Sequence, residues 1–184
     1  MNQDKLLRQL REYRQRCPSE SETIARFEAF VDNEPRCFER NCWAGHVTGS
    51  AWIVNRPQTH VLLTHHRKLN RWLQLGGHSD GDSDPLQVAR REAFEESGLV
   101  MEPVCDRLFD IDIHLIPARL EDPAHHHFDA RYALRTVGAD AFRVSDESHA
   151  LRWVKIDEIG TVTTDPSMLR MARKWLDRHA RRDR

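Results

Sequence analysis

Apolar positions recur at helical spacing at both ends of the chain and alternate in between. Residues 4–16 place Leu6, Leu7, Leu10 and Tyr13 on one side, and Pro18 stops that segment. Ser19 followed by Glu22 has the form of a capping box, and Ile24, Phe27 and Phe30 continue a second amphipathic helix to about Asn33. From about residue 44 the period shortens. Residues 47–54 and 60–65 read as strands separated by the turn-rich Asn55-Arg56-Pro57-Gln58, and a short segment from Trp72 to Leu75 runs into Gly76 and Gly77.

Residues 84–97 carry strong helix signals. Asp84 suits the N-cap, Pro85 the first helical position, and Gly98 the position just past the end. Residues 108–115 and 127–135 alternate as strands. Asp110, Asp112 and His114 share one face of the first, while His127, Asp129 and Arg131 share one face of the second. A further strand is expected at about 149–155, around Trp153. The last helix, from Pro166 to about His179, would pack through Met168, Leu169, Ala172, Trp175 and Leu176. The order predicts an α/β (α+β) domain spanning 1–184, with helices on a mixed sheet. Residues 1–40 form a helical hairpin ahead of a core at 44–180.

Composition narrows the classes. No apolar run exceeds four residues, far short of the roughly 20 a transmembrane helix needs or the 7–15 of a signal-peptide core. The balance of 28 basic and 29 acidic residues leaves a net charge of -1, so no overall field draws the chain to a nucleic acid polymer or a membrane. The four cysteines (Cys17, Cys37, Cys42, Cys105) show no metal-like spacing, which suits a reduced, cytoplasmic protein. A homodimer is compatible with the sequence but not encoded in any segment of it. Glycine is scarce at eight residues, yet Gly76, Gly77, Gly81 and Gly98 crowd one short window.

That window reads GHSDGDSDPLQVARREAFEESGL from Gly77 to Leu99. On its helix Glu92, Glu95 and Glu96 lie at i, i+3 and i+4, so three carboxylates project from one side, with Arg91 one turn before Glu95. Like charges so placed repel by about 0.2–0.5 kcal/mol per pair, and oxygen-only donors suit a hard cation. The segment resembles the Nudix box, G-x5-E-x7-R-E-U-x-E-E-x-G-U with U a bulky apolar residue. Gly77, Arg91, Glu92, Glu95, Glu96, Gly98 and Leu99 stand at the required positions. The six fixed matches among them (two Gly, one Arg, three Glu) arise by chance roughly once in ten million starting points at about 7% usage each. Two positions depart from the pattern. Ser83 stands where the first Glu belongs, flanked by Asp82 and Asp84, and Ala93 stands at a bulky position.

The resemblance implies an α/β/α sandwich around a mixed sheet. It implies hydrolysis of a small-molecule diphosphate linked to another moiety, with water attacking phosphorus. It also implies Mg²⁺, with Mn²⁺ as the alternative, held by Glu92, Glu95, Glu96 and Gly77, and Arg91 orienting a glutamate. The general base is open between Glu95, Glu96 and Glu147, the last in the loop before the Trp153 strand. Asp82 is a candidate to replace the missing glutamate, leaving Asp84 as the helix cap. His114, Asp129 and Arg131, on the polar strand faces, are candidate substrate contacts. His125, His126, His127 and Asp129 are candidates for a second metal ion, and Trp72, Phe128 and Tyr132 for stacking a base. A silent nucleotide sensor and an isoprenoid diphosphate isomerase share the resemblance; the first would follow from Ser83, the second would need a cysteine in the pocket.

Overall fold

The helical periodicity of the N-terminus becomes α1 (Asp4–Arg16) and α2 (Ser21–Asn33) in a computed structural model that describes residues 3–119 and 122–180. The alternating segments become β1 (His46–Val54), β2 (His60–His66), β3 (Arg71–Leu73) and β4 (Leu75–His78). After α3 (Pro85–Ser97) come β5 (Met101–Pro103), β6 (Asp110–Ile116), β7 (His125–Thr136), β8 (Ser148–Lys155) and α4 (Pro166–Ala180). The result is a mixed α/β architecture with a mixed sheet, as expected. No described helix is long and apolar enough to cross a membrane.

The chain divides into two compact units that alternate along the sequence, so that β1, α3 and β7 each run from one into the other. The first comprises Met1–Ser50, Gly76–Ala89 and Asp106–Tyr132. In it α1 and α2 bury Leu6, Leu10, Tyr13, Ile24 and Phe27 completely. Phe30 stacks on Phe128 with ring centroids 3.8 Å apart. The two helices are bonded into the unit rather than appended to it. Gln9 donates to the Asp106 carbonyl and accepts from the Tyr132 hydroxyl, and Arg16 donates to the Leu108 carbonyl. Ser19 makes no capping box. It falls in a 3-10 turn, Pro18–Glu20, and α2 starts after it with no side-chain cap. β6 and β7 pair antiparallel with Asp110 opposite Arg131, Asp112 opposite Asp129 and His114 opposite His127.

The second unit comprises Ala51–Leu75, Arg90–Cys105 and Ala133–Arg184. Here β2 is central, pairing with the end of β1 (Val54 opposite Val61), with β3 and, along its whole length, with β8. The three residues of β5, too short to announce themselves in the sequence, pair with the end of β7. Asp165 caps α4, its carboxylate accepting from the Ser167 amide and hydroxyl, with Pro166 at the first helical position. Met168, Met171, Ala172 and Trp175 are buried on α4, whereas Leu176 is 44% exposed and falls outside the packed stripe.

Candidate active site

The second unit carries the acidic helix face. Arg91 donates to Glu92 Oε1 at 3.0 Å and lies 4.0 Å from Glu95 Oε1. Glu96 is nearly buried, Glu92 half-buried and Glu95 exposed, so the carboxylates step from interior to solvent along one side. Burial raises the Glu92 carboxyl above its usual range; the bond and charge of Arg91 oppose this, and Glu95 and Glu147 add to it. Glu147 therefore stands close enough for its charge to act on the helix face.

Its loop is anchored twice. The Arg67 amide donates to the Glu147 carbonyl at 3.0 Å, and the Ser148 hydroxyl meets Thr64 Oγ1 at 2.5 Å. Further back in the same loop, the Arg143 amide donates to the Ser97 carbonyl at the end of α3. Gly98 stops the helix in the left-handed region, φ +69°, with its amide donating to the Phe94 carbonyl. Ala93 is fully buried, but Phe94 is 52% exposed, so the neighbouring phenylalanine does not fill for the small residue.

The segment leading into the helix belongs to the first unit. Gly76 has φ +152°, and a Cβ there would lie 2.4 Å from Ser50 Oγ and 2.6 Å from Ser50 Cα. Its freedom thus lets β4 lie against β1. Gly77 follows in β4, half-buried. Asp82 Oδ1 accepts from the Asp84 amide, a local turn, and Ser83 is half-buried. Asp84 caps α3 with its main chain only: its carbonyl accepts from the Gln87 and Val88 amides. Its carboxylate turns away, one oxygen pairing with Lys5 at 2.5 Å and the other buried without a hydrogen-bond partner among the described residues. The side-chain cap expected of Asp84 is not made.

The polar faces of β6 and β7 point inward. Arg131 is 2% exposed and contacts Asp129 at 2.7 Å and both Asp110 and Asp112 at 3.3 Å. Burial works against its charge, but the three carboxylates outweigh it and hold the guanidinium firmly protonated. Asp129, 1% exposed, also accepts from the Thr48 and Ser50 hydroxyls. The structure thus gives Asp129 and Arg131 interior partners. His114, part-exposed, pairs with Asp112 at 3.3 Å.

Of the expected stacking residues, Trp72 lies on His65, centroids 5.0 Å apart, whereas Phe128 and Tyr132 are buried. Cys42 is buried too, and burial raises its thiol, the reverse of what an activated cysteine needs.

One grouping was only half visible in the sequence. His46, His125 and His127 each present a ligand atom within 4.8 Å of the others. Asp129 is engaged elsewhere, and His126 tilts toward Phe128. His46 lies on β1, 79 positions before His125, so no local spacing could have disclosed it.

The fold has counterparts among known proteins. A hydrolase of the NUDIX family from Clostridium perfringens is 26% identical, with a TM-score of 0.53 over 71% of this chain and 95% of that one. An Ap4A hydrolase from C. elegans is 17% identical over 73% of this chain and 97% of its own, TM-score 0.53. The E. coli dihydroneopterin triphosphate pyrophosphohydrolase is 16% identical over 68% and 91%, TM-score 0.54. The last two likenesses concern the fold alone. A search of curated proteins gave no match. The NUDIX domain model matches residues 45–177, enclosing the whole glycine-to-leucine box and the loop of Glu147. With its three glutamates on one face of α3 and that match over most of its length, the chain belongs to the NUDIX domain family.

Proposed function

We propose that this chain is a divalent-metal-dependent hydrolase cleaving the diphosphate linkage of a nucleoside diphosphate derivative or a similar compound. The observation that carries the reading is the electrostatics of the second unit. Glu92, Glu95, Glu96 and Glu147 concentrate negative charge there, and at Glu92 burial and acidic neighbours outweigh the adjacent Arg91. An all-oxygen, charge-excess set of this kind fits a hard cation, and Glu92, Glu95 and Glu96 are the residues that would hold it. When bound, Mg²⁺, or Mn²⁺ in its place, supplies charge neutralisation at phosphate oxygens and polarisation of water.

The chain's own residues divide the remaining work. Arg91 fixes the Glu92 carboxylate through their 3.0 Å bond and so positions one donor. Glu147 would take the proton of an attacking water, as the general base, a role supported by its exposure and its doubly anchored loop. Trp72, stacked on His65 in the same unit, offers a flat surface for a base. Of the three residues expected to touch substrate, His114 is the one with appreciable exposure.

The test is a panel of nucleoside diphosphate compounds incubated with Mg²⁺ or Mn²⁺, with released products identified. Turnover of at least one compound that stops on chelation supports the reading. Tight binding across the panel without turnover would replace it with a silent sensor.

A further inference from the structure

We propose that His46, His125 and His127 form a binding site for a borderline transition-metal ion of the Zn²⁺ class, separate in residues and in chemistry from the carboxylates of α3. Ring centroids lie 4.8 Å apart for His46 and His125, 4.7 Å for His46 and His127, and 5.3 Å for His125 and His127. Ligand atoms of the three already fall within 4.8 Å of one another. With metal–nitrogen bonds of about 2.0–2.1 Å in tetrahedral geometry, bound nitrogens sit about 3.4 Å apart. Each ring need move less than about 1 Å to close the site.

The hydrogen bonding leaves this use open. His46 is 1% exposed, with the Cys42 backbone near enough to act on its ring, and His127 Nε2 is buried with no hydrogen-bond partner among the described residues. Buried polar atoms left unsatisfied are costly, so the unpartnered Nε2 of His127 beside the buried His46 ring calls for an occupant. His125 Nδ1 lies 2.8 Å from the Pro123 carbonyl, which fixes that nitrogen as the donor and leaves Nε2 as the free ligand atom.

Charge is consistent with a cation at this point. Burial, the first cause, disfavours the protonated form of His46 and His127, and the other histidines reinforce it. Arg40 weighs against positive charge at His46, and Asp80 favours it. His78 and His114 stand beside His127, with centroids 5.1 and 5.4 Å away. All-nitrogen donors suit Zn²⁺, Co²⁺, Ni²⁺ or Cu²⁺ and not Mg²⁺, and three protein ligands leave a fourth position for water. The site ties the start of β1 to the start of β7.

The experiment is titration of chelator-treated full-length protein with Zn²⁺ by calorimetry, and with Co²⁺ by visible absorption. One equivalent binds, the Co²⁺ complex shows the intense bands of a four-coordinate nitrogen site, and the melting temperature rises. His127→Gln and His125→Gln each weaken binding by about 100-fold or more, exceeding the usual effect of an outer-shell change. His126→Gln, on the other face of β7, leaves it unchanged. Glu95→Gln also leaves it unchanged, which separates this site from the carboxylate one. Folding of each variant is checked by its melting curve. Absence of one-equivalent binding, or binding indifferent to both His125→Gln and His127→Gln, overturns the proposal and leaves ordered water as the partner of these nitrogens.

Discussion

Arg91 bonds its immediate neighbour Glu92 at 3.0 Å and only approaches Glu95, one turn on, at 4.0 Å. The box arginine therefore holds Glu92 more tightly than Glu95. Arg91→Ala frees Glu92 and leaves its acidic neighbours unopposed. Metal affinity, read by the Mg²⁺ concentration for half-maximal turnover, should weaken about 10–100-fold. Stability should change by less than about 1 kcal/mol, because the pair is partly exposed.

Glu147 differs from the helix acids in what its loss should do. As the proposed base it would act on kcat, so Glu147→Gln should lower kcat about 100-fold while leaving the Mg²⁺ requirement near that of the parent. Glu96→Gln should shift both. Steady-state kinetics across metal concentration distinguishes them, and equal metal shifts in the two variants would move Glu147 into the metal-holding set.

Gly49 sets how closely α3 approaches β1. A Cβ there would lie 2.5 Å from the Pro85 carbonyl and 2.9 Å from the Ala89 amide nitrogen, both backbone atoms that yield only if the helix moves. Gly49→Ala should destabilise by about 1–3 kcal/mol, as overpacking does, measured by urea denaturation. Activity should fall as well, since α3 continues into Arg91 and the three glutamates.

The buried cluster around Arg131 predicts a large, one-sided effect. Arg131→Met leaves Asp110, Asp112 and Asp129 facing one another without their cation and should cost about 3–5 kcal/mol. Asp129→Asn, which keeps acceptors for Thr48 and Ser50, should cost less. Equal costs would mean the network is held by its hydroxyl bonds instead.

The histidine cluster sets an acid limit for metal-free protein. His46 and His78 titrate at about 4 and His127 at about 2, first because they are buried, against about 6.5 unfolded. Between these values the unfolded chain binds more protons, so stability is full above pH 6.5 and falls as pH drops toward 4. The groups facing the cluster, Arg40, Asp80, His114 and His125, are common to parent and variant. His127→Gln should therefore flatten the decline of melting temperature between pH 6.5 and 4.

How much of this was readable beforehand depends on range. The α3 segment was legible because its signals are local: Pro85, Gly98 and the i, i+3, i+4 acids act within one helix. Alternation in β6 and β7 correctly grouped Asp110, Asp112 and His114, and His127, Asp129 and Arg131. It could not say which face is buried. That depends on the register that sets Asp110 opposite Arg131 and lets acids and base enter the interior as partners. The same limit explains Leu115, which is apolar but 59% exposed. Asp84 has the ideal residue type for a side-chain cap, yet Lys5, nearly eighty positions away, takes its carboxylate. His46 joins His125 and His127 only through the fold.

The most direct test of the central claim is single-substrate hydrolysis by parent, Glu95→Gln and Glu96→Gln proteins across a Mg²⁺ titration, with melting curves confirming that each is folded. Mg²⁺-dependent turnover is expected in the parent, with a loss of at least about 100-fold in both variants, several kcal/mol of lost stabilisation. Turnover unchanged in both folded variants would contradict that claim.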